Sequence, residues 1–239
     1  MIKAIKRQFR VLWSDYLCMM GVTLGAFVFG NILLTFVLRM DGEASGYFAL
    51  GTVIAIIMAV LFGGIMGLVQ IQQYFNIQVT MGSTRKAFFA SYYLVTFLLN
   101  CAVGGILILL CAAENALNIV IYAGWKLEFD LMPGLIRGVV PAAALVTVIS
   151  GFCGVMIMKF GRKASIILWC LWMFACLGGP QFMEASDEAP ASLAGKVSGV
   201  VLESLGQVPM TVWTGIGVLI AAAGLAGTWM VLRRQQVMS

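Results

Sequence analysis

Six long apolar blocks constrain this chain more than any other feature of its sequence. They run from Leu17 to Leu38, Tyr47 to Val69, Phe88 to Cys111, Leu135 to Met158, Ser165 to Leu177 and Met210 to Leu232. All meet or approach the roughly 20 apolar residues that a helix needs to cross a bilayer, the fifth being the short one. Hydrophobic residues fill 62% of the 239 positions, charged residues only 10%, and the mean hydropathy is +1.00. A soluble domain of this length could not bury so much apolar surface. The expected fold is therefore all-α: a polytopic membrane protein forming one transmembrane domain over 1–239, with six transmembrane helices. Ten-residue stretches of alternating polarity are missing, which argues against an outer-membrane barrel.

The basic residues set an expected orientation. With both termini in the cytosol, that side carries Lys3, Lys6, Arg7, Arg10, Arg85, Lys86, Lys159, Arg162, Lys163, Arg233 and Arg234, eleven of the fifteen, as the positive-inside rule requires. Nine of the ten acids fall on the other side, leaving Asp15 within. The net charge of +5 thus reports topology, and nucleic-acid binding is not expected. Residues 1–16 place Ile2, Ile5, Phe9, Leu12, Trp13 and Tyr16 on one helical face, with Lys3, Lys6, Arg7 and Arg10 mostly opposite. That pattern predicts an amphipathic helix lying in the plane of an anionic leaflet. The apolar run that follows is too long for a cleaved signal and has no small-x-small site.

The longest polar interruption in the first half is Gln70 to Phe89, QIQQYFNIQVTMGSTRKAFF. A simple reversal between two spans needs far fewer residues. Ile71, Tyr74 and Phe75 lie at helical spacing, interleaved with Gln73, Asn76 and Gln78. Gly82 suits a turn after Met81, Ser83 or Thr84 can cap a new helix, and Arg85 with Lys86 anchors it at a membrane surface. Within a cytosolic coupling segment 71–82, Ile71 to Thr80 is expected to form a short docking helix for a soluble partner. An interfacial helix resting on lipid headgroups fits the same periodicity.

Across the membrane, Glu114 to Asp130 is expected to form a modest loop. Within 178–208, Leu193, Val197, Val200, Val201, Leu205 and Val208 keep a helical period, predicting a re-entrant segment before the last span. Polar residues inside the spans are few: Asn31, Thr35 and Asn100, which are candidates for a translocation path, and Thr147 and Ser150. Such groups mark function or bond a neighbouring helix. The six cysteines show no CxxC spacing, so neither a disulfide framework nor a metal site is expected. There is no histidine and no GxxxxGK[ST] or strand-borne GxGxxG, so no cofactor and no catalytic residue is expected on this chain. Energy for transport would have to come from another subunit.

The amphipathic N-terminus, six spans, the segment between spans two and three, the run MGSTRKAFF at 81–89 and the region before span six together resemble permease subunits of type V, or "ABC-two" class, ABC exporters. The resemblance implies a homodimer of permeases above two ATPase subunits, which would carry ATP and Mg. It implies that Ile71, Gln73, Tyr74, Phe75, Asn76, Gln78, Met81, Arg85 and Lys86 couple to the ATPase. The small loops look similar to those of phenol-soluble modulin and lantibiotic-immunity exporters, which implies an amphipathic peptide substrate and a bacterial plasma membrane. A substrate-capture subunit of a vitamin importer, or a membrane assembly protein without transport activity, are the alternatives.

Overall fold

The computed structural model describes residues 2–40, 46–80, 82–121, 126–171, 173 and 210–234. Four of its helices are long and apolar enough to cross a membrane, and the chain is a multi-pass membrane protein. They are α1 (Ile2–Met40), α2 (Leu50–Thr80), α3 (Arg85–Ile121) and α4 (Met132–Phe160). Residues 162–171 form α5, and α6 (Met210–Arg234) closes the chain. Part of the fifth apolar block and the whole of 178–208 lie outside the described residues, so the six-span count and the re-entrant segment stand as expectations. Each long helix is made of residues whose backbone polar groups have no partner in lipid but their own helix.

Three expected boundaries move. The 1–16 segment is not a separate in-plane helix, because α1 runs unbroken through Tyr16 and Leu17. No glycine, proline or cap intervenes there, and Leu12 and Tyr16 are buried in the helix bundle. The 71–80 segment is likewise the last part of α2. The expected loop from Glu114 is instead helical up to Ile121.

The helices pack as an antiparallel bundle. A ribbon of two short parallel strands, β1 (Gly46–Phe48) and β2 (Lys126–Phe129), pairs Gly46 with Lys126 and Tyr47 with Leu127. The pairing is parallel because each strand leads into a helix, α2 or α4, and those two helices run in the same direction. Apart from this short ribbon the described elements are helical, as the all-α expectation has it.

Glycines set the closest helix crossings. A Cβ on Gly67 of α2 would strike the Ser150 side chain of α4, and one on Gly154 of α4 would strike Ile71 and the Leu68 carbonyl. On α3, a Cβ at Gly104 would meet Val139, and on α4 a Cβ at Gly151 would meet the Tyr93 ring. Small residues at such points let backbones approach closely. Gly21 and Gly25 of α1, four residues apart, face nothing within 4 Å among the described residues.

Candidate functional site

The polar stretch after Val69 is built into the bundle. Ile71 and Phe75 are buried with Phe88, Tyr92, Val155 and Leu232. The Phe75 and Phe88 rings meet edge to face at 5.4 Å, and Tyr92 donates to the Gly67 carbonyl at 3.3 Å. Gln78 is also buried, its amide donating to Gln8 of α1. The Gln8 Nε2 and the Gln78 Oε1 are buried without a hydrogen-bond partner among the described residues. Asp15 of α1 accepts from Tyr74 at 2.9 Å and from Gln70 at 3.1 Å. Two helices are thereby stitched along the polar stretch by side-chain hydrogen bonds.

The turn that follows has the sequence its geometry demands. Gly82 adopts φ +81°, a left-handed conformation that glycine enters without strain. Its N–H donates to the Val79 carbonyl at 3.1 Å, and the Ser83 N–H donates to the Gln78 carbonyl at 3.0 Å, the pair of bonds that ends a helix in a Schellman motif. Thr84 then caps α3, its hydroxyl accepting from the Ala87 N–H at 3.2 Å. Arg85 donates to the Arg233 carbonyl at 2.6 Å, placing a cation at the C-terminal end of α6 as the helix dipole favours.

The expected coupling residues are thus divided. Ile71, Phe75 and Gln78 are buried in the protein's own interior. Gln73 is exposed, Tyr74 and Asn76 are half-buried, Arg85 is half-buried against α6, and Lys86 is exposed. Met81 lies outside the described residues. Ile77, which periodicity did not single out, is 48% exposed beside them. On α1, Lys3, Lys6 and Arg10 are exposed, while Arg7 is half-buried and its Nε has no partner.

A second cluster lies at mid-bundle. Tyr16 of α1 donates to Asn100 Oδ1 of α3 at 3.0 Å, and Asn100 Nδ2 donates to Thr147 of α4 at 2.9 Å. The Thr147 hydroxyl in turn donates to the Ala143 carbonyl at 2.7 Å. Asn100 therefore ties three helices together, and it also lines a cavity of about 400 Å³ between α2, α3 and α4. Asn31 and Thr35, the other candidates for a path, are not among its lining residues. They bond backwards along α1, to the carbonyls of Phe27 and Asn31.

Sequence reasoning missed Glu114. It sits fully buried on α3 and accepts from the Gly51 N–H at 2.8 Å, the Thr52 N–H at 2.7 Å and the Thr52 hydroxyl at 2.6 Å. These are orphan donors in the first turn of α2, and a carboxylate there is favoured by the dipole as well. Gly51 leaves room for the approach, since the Asn31 side chain occupies the place where its Cβ would stand. The available signal was a lone acid between two apolar runs, LILLCAA and NALNIVI, at a position that keeps the helical period.

Among the described residues no cluster of histidine, cysteine, aspartate or glutamate could hold a metal ion. No protein-family model, no curated protein and no solved structure matches this chain.

Proposed function

We propose that this protein is the membrane-spanning permease subunit of an ATP-driven exporter of the ABC type. Two copies would work above two separate ATPase subunits, which bring ATP and Mg, in a bacterial plasma membrane with both termini cytosolic. The substrate would be an amphipathic or hydrophobic peptide. The supporting observation is the continuity of α2. Its 31 residues make one rod about 46 Å long at helical rise. The rod joins the cavity wall at Ile56 and Val60 to the turn at Gly82. A displacement at the turn would be carried along the rod toward the wall, together with the α3, α4 and α6 residues packed on Ile71 and Phe75. Gln73, Ile77 and Lys86 supply the exposed contact.

The test is purification of the intact complex from native membranes. An ATPase should co-purify, and Ile77→Asp with Lys86→Glu should lower peptide-stimulated ATP turnover about tenfold, as loss of a contact hot spot does, with the melting temperature unchanged. Full turnover in that variant removes the coupling role of this segment. A substrate-capture subunit of an importer is the second reading, favoured by a cavity within the size range of small-ligand sites. Sealed vesicles separate the two by the direction in which substrate accumulates.

A further inference from the structure

The cavity between α2, α3 and α4 has walls that select an occupant. Ile56 and Val60 from α2, Val103 and Leu107 from α3, and Val139 and Val146 from α4 give it an aliphatic side wall. Of the lining side chains, those with hydrogen-bonding groups stand at its two ends: Asn100 at mid-bundle and the exposed Asp130 where β2 leads into α4. Two of its three glycines, Gly134 and Gly138, would place a Cβ within 4 Å of nothing among the described residues, whereas Gly104 is backed by Val139. Gly134 and Gly138, about one turn apart, thus leave open space beside the lining side chains of Leu135, Val139 and Ala142. Apolar cavities exclude water and take apolar guests, and about 400 Å³ is room for a ligand.

We propose that this cavity binds the aliphatic chain of a single-chain amphiphile, entering from the Asp130 end and stopping at Asn100. The floor is polar for a stated reason. Asn100 spends its oxygen on Tyr16 and one N–H on Thr147, and its amide ends the aliphatic wall, where an alkyl group gains nothing by going further. At the mouth, the Asp130 carboxylate accepts from the Met132 N–H at 3.0 Å and favours an amine-bearing head over an anionic one. Arg137 on the same helix is exposed and does not line the cavity. The site does not depend on the exporter reading.

The experiment uses the full chain in phosphatidylcholine nanodiscs and dodecylamine carrying a photoreactive diazirine at its tail. Saturable labelling is expected within 100–107 or 139–147. Gly138→Leu, which adds bulk into open space, should reduce labelling about tenfold while leaving the melting temperature unchanged or raised. Asp130→Lys should turn the preference from dodecylamine to the matching dodecanoate probe. Solvent extraction identifies the source. Uptake of the added probe alone, lost in Gly138→Leu, supports a single-chain occupant, whereas a two-chain phospholipid retained by the wild-type protein and lost in Gly138→Leu overturns it. Equal labelling of wild-type and Gly138→Leu, no labelling at all, or labelling confined to the exposed α1 face at Phe29 and Ile32 overturns it.

Discussion

The two ends of this bundle are held together in different ways. At the end bearing Lys86 and Lys159, α2 and α4 cross at contact distance through Gly67, Ser150 and Gly154, and an aromatic cluster of Phe75, Phe88 and Tyr92 fills the space beside them. At the opposite end the same helices part around a cavity of about 400 Å³, and the first turn of α2 is held by the Glu114 carboxylate and by the close approach of Gly51 to Gly30 of α1. The difference is between a joint made of many van der Waals contacts and one made of a few charge-assisted hydrogen bonds. The first is spread over many atoms and resists opening everywhere. The second is short-ranged and directional, so losing one group frees the first turn of α2.

That contrast fixes what substitutions should do. The largest effect is expected at the close-packed end: Phe75→Ala should cost about 3 to 5 kcal/mol, read as a lowered unfolding midpoint in detergent at fixed protein-to-detergent ratio. Little change would mean that Phe75 faces outward, and the segment would revert to a docking surface. Next comes Glu114→Ala, which strands buried donors on Gly51 and Thr52 and should cost about 3 kcal/mol. Its effect should also be local, with hydrogen exchange rising in the first turns of α2 while Gln70 to Gln78 stay protected. Smallest is Gly67→Val, where forcing a side chain against Ser150 should cost about 2 kcal/mol. Tolerance of valine there would show that the crossing is looser than the cavity end.

Parts of this arrangement were readable beforehand. The turn at Gly82, the cap at Thr84 and the interhelical role open to Asn100 follow from residue types whose preferences are local: a positive φ for glycine, a hydroxyl for orphan N–H groups, an amide in an apolar helix. Ile71, Tyr74 and Phe75 were seen as one face of a helix. That the face turns inward was not visible, because periodicity marks a stripe without naming what covers it, and here α3, α4 and α6 cover it. Glu114 was assigned to a loop because an acid in an apolar run costs too much unless paired, and its partners lie 62 and 63 residues away. The N-terminal helix was separated from α1 by its charge pattern, although nothing in its backbone calls for a break.

By itself, the sequence determined the membrane-spanning character of the chain and the helical state of its long blocks. In lipid each backbone polar group must be satisfied nearby, so a run of some 20 apolar residues has few other conformations open to it. Tertiary structure alone decided which helix faces meet, that Gln78 pairs with Gln8, that Glu114 closes the start of α2, and that Gly134 and Gly138 leave a space. Those outcomes depend on how close two helices approach at one point, and the spacing of residues along one chain carries no measure of that distance.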